Sequence, residues 1–137
     1  MKRRLTALGV TVASVAALIG FAPAASAAAG PCTISKKVWI SGHEAWVPAT
    51  SGGSVDCILR QGDPYPSAIG SLQTALHFCN GHNSLSRDGI YGPLTASAVR
   101  ITQEFNRIRV DGVYGPQTRA AMFWVVNGAD HTTCVKY

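Results

Sequence analysis

Asp88-Gly89-Ile90-Tyr91-Gly92-Pro93-Leu94-Thr95 recurs 23 residues later as Asp111-Gly112-Val113-Tyr114-Gly115-Pro116-Gln117-Thr118, identical at six of eight positions. An internal repeat this close marks one supersecondary unit used twice. In each copy the Asp carboxylate can bond nearby backbone N–H groups and the following Gly can take positive φ, so Asp88-Gly89 and Asp111-Gly112 read as tight structural turns. Ile90 and Val113 are expected to point inward. Pro93 and Pro116 suit the first position of a helix, where a missing N–H costs nothing. Thr95 and Thr118 fall in the first turn, within reach of free backbone donors. Each copy is a turn that launches a helix.

The flanking sequence supplies the helices. Gly62-Asp63-Pro64-Tyr65-Pro66 resists regular structure. After it, Ile69, Leu72, Leu76 and Cys79 recur at helical spacing, with Ser67 as an expected N-cap and Asn80-Gly81 as a stop. The second helix is expected to carry Leu94, Ala98, Ile101 and Phe105 on one face. The third is expected to carry Ala120, Ala121, Trp124 and Val125 and to stop near Asn127-Gly128. The fold class this predicts is mainly α: a small three-helix bundle with two Asp-Gly turn/helix repeats, preceded by a short β-hairpin arm and stapled by two disulfides.

Three segments follow: 1–27 a signal peptide, 28–61 a β arm, and 62–137 the helical domain. Lys2, Arg3 and Arg4 precede an uncharged apolar run, Leu5 to Phe21, and Ala25-Ser26-Ala27 has the small-x-small pattern of a cleavage site. The run is 17 residues, short against the roughly 20 of a membrane span. In the arm, Val38-Trp39-Ile40 and Ala45-Trp46-Val47 flank a polar Ser41-Gly42-His43-Glu44 turn, and Val55 to Leu59 is a possible third strand. The formal net charge is +5. Without the three leader cations it is +2, and no basic cluster larger than Lys36-Lys37 or Arg107-x-Arg109 remains. Nucleic acid is therefore not an expected partner, nor is a membrane after leader cleavage.

Four cysteines remain, Cys32, Cys57, Cys79 and Cys134. An even count in a small exported chain suggests two bridges, with three pairings open. Cys32–Cys57 and Cys79–Cys134 are preferred, because the first closes the arm and the second joins helix one to the C-terminal tail. No Cys-x-x-Cys is present, and His77, Cys79 and His82 lack zinc spacing, so no metal or other cofactor is expected.

The ordered blocks Gly62-Asp63, Ile69-x-x-Leu72-Gln73-x-x-Leu76, Asp88 to Thr95, Ala98-Val99, Gln103 and Val110 to Thr118 resemble the peptidoglycan-binding domain family, three-helix modules found on bacterial wall hydrolases. The resemblance runs from Asp63 to about Trp124. It implies a helical bundle that holds peptidoglycan without catalysis, here secreted, free-standing and monomeric. The sequence departs from the family at Thr102, where an aromatic is usual, with Phe105 a candidate for the lost bulk. It departs again at Arg107, where glycine is usual, and in its additional Cys79 and Cys134.

No catalytic constellation stands against this. Glu44 and Glu104 are the only glutamates, Asp88 and Asp111 read as turn formers, and there is no nucleophile elbow, His-Glu-x-x-His or phosphate loop. An enzyme is not expected. Peptidoglycan offers hydroxyl, amide, N-acetyl and carboxylate groups, which suits residues that pair apolar surface with a polar tip. Tyr91 and Tyr114, equivalent in the two turns, are candidate ligand residues, with core filling as the alternative. Gln103, Asn106 and Arg107 on helix two are further candidates, Arg107 for a stem-peptide carboxylate; the alternative is a solvated face. Trp39 and Trp46 either stack on sugars or pack the arm. The competing function is a secreted protein-interaction module, an inhibitor or accessory factor of an extracellular enzyme, with a protein as partner.

Overall fold

Ser41 and Gly42 both take positive φ, 50° and 82°, the two-residue turn whose twist matches a hairpin. The computed structural model describes residues 29–126 and 133–137; the leader and the expected helix stop at Asn127-Gly128 lie outside them. The turn joins β1 (Ile34–Ile40) to β2 (His43–Ala49) in an antiparallel register that sets Val38 opposite Ala45 and Lys37 opposite Trp46. The hairpin is longer than the tryptophan triplets suggested, because His43 and Glu44 belong to strand and not to turn. Ile40, Ala45 and Val47 face inward, while Trp39 and Trp46 face out. Val55 to Leu59 forms no strand. Among the described residues it makes two isolated bridges, Pro31 with Ile58 and Leu59 with Tyr114.

Helix α1 (Pro66–Cys79) buries Ala68, Ile69, Leu72, Ala75 and Leu76 on one face, as its period requires. Ser67 is not the cap. Tyr65 occupies that position without a side-chain bond, and the Ser67 hydroxyl instead accepts the Ser35 N–H of the hairpin at 3.2 Å. Helix α2 (Pro93–Phe105) turns the other way from the expectation. Its buried residues are Thr95, Ala96, Ala98, Val99, Thr102 and Gln103, and Leu94, Ile101 and Phe105 stand in solvent, Phe105 at 84% exposure. The reason is that Thr95 and Gln103 must reach the two turns, which rotates the large apolar side chains outward.

The three-helix bundle is not what forms. Helix α3 is only Pro116–Ala121, six residues. Met122 is extended at ψ 157°, and Phe123–Val125 becomes β3, paired with β4 (Cys134–Lys136). Trp124 and Val125, read as helical, are strand residues. Aromatic and β-branched side chains favour a pleated surface, and the Cys79–Cys134 bridge holds a partner strand beside them. An antiparallel bridge between Ala45 and Val126 joins the two hairpin-like sheets edge to edge. Helix α1 therefore packs chiefly on β1, β2 and β3 and touches α2 only lightly. The architecture is two small two-stranded sheets against a long helix, with the repeated turns and the shorter helices on its other side.

One hydrophobic core runs through both parts. It contains Cys32, Ala45, Val47, Cys57 and Leu59 from the arm and Ile69, Leu72, Val99 and Trp124 from the rest. Both disulfides are formed, Cys32–Cys57 and Cys79–Cys134.

Candidate functional site

The repeated turns are built around two buried glutamines. Gln73 Nε2 donates to Asp88 Oδ1 (2.9 Å), the Ile90 carbonyl (3.0 Å) and Thr95 Oγ1 (3.0 Å), and its Oε1 accepts the Gly89 N–H (2.8 Å). Gln103 repeats the pattern with Asp111 (2.9 Å), Val113 O (2.9 Å), Thr118 Oγ1 (3.1 Å) and the Gly112 N–H (2.9 Å). Each glutamine thus clamps the turn that follows its helix, sharing its two amide protons among three acceptors while its carbonyl oxygen takes backbone N–H from the turn. Hydrogen bonds from Gln73 and from the Ile90 N–H hold the Asp88 carboxyl below the usual carboxylate range. Thr95 and Thr118 close the clamp by donating to the Ile90 and Val113 carbonyls, and do not serve the helix N–H groups as expected. Gly89 needs its φ of 73°, and a Cβ there would meet Pro66 Cβ at 2.9 Å.

Tyr91 and Tyr114 are core residues of the same assembly, 1% and 0% exposed. Their inward placement displaces Ile90, which is exposed where it was expected to be buried. Tyr91 Oη donates to Gly112 O at 2.9 Å, so one turn braces the other. Tyr114 exchanges both backbone bonds with Leu59 at 2.9 Å and meets Trp124 edge-on at 6.2 Å. Burial raises both phenol pKa values well above 10.0. Gln103 is committed to its clamp. Of the five candidate ligand residues, Asn106 and Arg107 remain at the surface, and Arg107 takes a positive φ of 55° that closes α2. Asn106 Nδ2 is used locally, donating to Thr102 O at 2.8 Å. At the position where an aromatic was missing, Thr102 Oγ1 lies 2.9 Å from His82 Nε2; a polar pair occupies the place and Phe105 does not supply the bulk.

Two of the depressions on the described surface concern the candidate site. The larger, about 530 Å³, lies where the hairpin meets α1 and β3 and is lined by Trp46, Ser71, Thr74, Phe78 and Arg87. The Trp46 and Phe78 rings are 50% and 46% exposed, and the Arg87 guanidinium stacks 4.9 Å from the Phe78 centroid. The second, about 390 Å³, is lined by Asn80, Ile101, Phe105, Asn106 and Phe123. Both of its amides are occupied: Asn80 Nδ2 donates to Ala75 O and Phe123 O at 2.8 Å. It offers contact area and little else.

Phe78 and Arg87 carried no motif that would single them out. Phe78 falls out of phase with the Ile69–Leu72–Leu76 stripe, the one hint that it faces solvent. Arg119 was also missed: it reaches from α3 to Asp56 (2.9 Å) and to the Val55 carbonyl, tying the arm to the second repeat. Among the described residues no three His, Cys, Asp or Glu side chains gather as metal ligands, and no helix is long and apolar enough to cross a membrane.

No curated protein and no solved structure matches the chain. A family model does, over residues 66–122. That span opens at the first residue of α1 and closes one residue past α3, so it takes in both glutamine clamps and both turns and omits the hairpin, β3 and β4. From Pro66 to Met122 the chain matches the family described as “Putative peptidoglycan binding domain”, the one its paired Asp-Gly turns resemble.

Proposed function

We propose that the protein is exported and holds bacterial cell-wall peptidoglycan without altering it. The observation that carries the reading is the family match over the doubled glutamine-clamped turn. Such domains bind and do not catalyse by themselves. Two disulfides fit an oxidising compartment outside the cytoplasm, and Lys2 to Ala27 reads as an export leader. The carboxylates of the two turns are occupied by hydrogen bonds to glutamine and backbone, which argues for structure over acid–base chemistry. The test is co-sedimentation of the purified protein with insoluble peptidoglycan while turbidity is followed in the same tube. Retention with constant turbidity is expected. Loss of turbidity would overturn the non-catalytic reading, and no retention would overturn wall binding.

A second reading, an interaction module that inhibits or assists a secreted enzyme, is favoured by one observation. Trp39 is 71% exposed on the outer hairpin face, and Leu94, Ile101 and Phe105 form an uncovered stripe along α2; exposed apolar patches mark protein contacts. Its signature is an absence of wall retention together with a stable complex on size exclusion with a secreted hydrolase.

A further inference from the structure

We infer that the depression between the hairpin and α1 is a binding site for the free carboxylate of a peptidoglycan stem peptide, with Arg87 as the anion-pairing group and Trp46 as the apolar wall. The inference rests on the proposed wall binding and assigns its epitope. Arg87 makes no ion pair with any carboxylate among the described residues, whereas Lys37, Arg109 and Arg119 do. No Asp or Glu lines the depression, so an entering carboxylate meets no like charge. The guanidinium carbon lies 4.9 Å from the Phe78 ring centroid, and its fork of N–H donors matches a planar two-oxygen partner, the geometry for which arginine is suited.

The rest of the wall suits an amide-rich ligand. Ser71 and Thr74 send their hydroxyl protons to helix carbonyls, Ser71 to Ala68 O (2.9 Å) and Thr74 to Gly70 O (2.8 Å). Their oxygens are left to accept from peptide or N-acetyl N–H groups. The half-exposed Trp46 indole lines the same depression, with Lys37 Nζ 5.6 Å from its ring centroid, and offers apolar surface for methyl groups of a ligand. Trp46 lies outside the family match and Arg87 inside it, so the site exists only because the arm is docked on α1. The second depression lacks any charged side chain and cannot supply this recognition.

The test compares the unaltered protein with R87Q, R87K and W46A, and with F105S as a surface control away from the depression. Binding is measured by co-sedimentation with insoluble peptidoglycan and by calorimetry with two soluble probes: a disaccharide carrying a stem tripeptide, and an N-acetylglucosamine tetramer that has no carboxylate. The unaltered protein should sediment and bind the peptide-bearing probe more tightly than the tetramer. R87Q should weaken that binding by roughly tenfold and flatten its salt dependence, R87K should restore part of it, W46A should weaken it, and F105S should leave it unchanged. If the unaltered protein sediments but R87Q keeps its affinity, or the tetramer binds equally well, the site assignment is wrong while wall binding stands. If the unaltered protein neither sediments nor binds either probe, both fall together.

Discussion

Tyr91 in the first Asp-Gly turn donates its phenolic proton to the carbonyl of Gly112 in the second, at 2.9 Å and in the core. The two repeats are not parallel copies standing side by side; one is the brace of the other. Removing that proton donor strands a buried carbonyl, so Tyr91→Phe should lower stability by about 1–2 kcal/mol with little change in structure. Urea unfolding followed by tryptophan fluorescence measures it. The same burial raises the Tyr91 pKa above its ordinary 10.0. The phenol is protonated in the fold where the unfolded chain would ionise, so the associated stability is complete below pH 10 and falls as pH rises beyond it.

Gln103→Leu keeps the side-chain volume and removes every clamp bond. The Asp111 and Gly112 N–H groups lose their partner inside the protein, which should cost about 3 kcal/mol. For a domain of this size that is a fall in Tm of roughly 10–20 °C, read by calorimetry. Gln73→Leu should behave alike, since its bonds repeat those of Gln103.

The Cys79–Cys134 bridge spans 55 residues, and chain-entropy reasoning assigns such a loop about 4 kcal/mol. Replacing both with alanine should lower stability by up to that amount. The loss should be uneven, because β4 is tied to α1 through this bond and to β3 through three register pairs. Hydrogen exchange should therefore accelerate in β3 and β4 well before it does in the turns.

His82 sits against Thr102, and burial holds its imidazole below the ordinary pKa of 6.5. The folded protein resists a proton that the unfolded chain accepts. Stability is complete above 6.5 and declines as pH falls from there towards the folded pKa, then levels off. Comparison of urea midpoints between about pH 7 and pH 5 should show this slope in the unaltered protein and a flatter one in His82→Gln.

The doubled turn was legible because its residues have narrow physical meanings: Asp and Gly for the chain reversal, Pro for the helix start. Both cysteine pairs also occur as read. What the sequence concealed is rotation and competition. Leu94, Ile101 and Phe105 have impeccable helical spacing, yet Gln103 and Thr95 win the buried face because their hydrogen bonds need it. Ile90 was read as buried and is exposed, and Tyr91, one position on, takes the core-filling role that stood as its alternative. Trp124 looked helical because nothing local announces the strand Cys134–Lys136 that pairs with it. Of the ligand candidates, Tyr91, Tyr114 and Gln103 are spent on the core, and the residues now favoured, Arg87 and Trp46, become neighbours only when the arm docks on α1.

Leu59 and Tyr114 exchange two backbone hydrogen bonds across 55 residues of chain, so the segment that resembles a known domain does not end where its own folding unit ends. A fragment excised at Pro66 would leave the Tyr114 amide and carbonyl unmet and bare the α1 surface that the hairpin covers. Such a piece should be poorly soluble and molten, and recombining it with other proteins should succeed only when the preceding arm travels with it. Likeness to a family and autonomy of folding are, in this molecule, drawn along different borders.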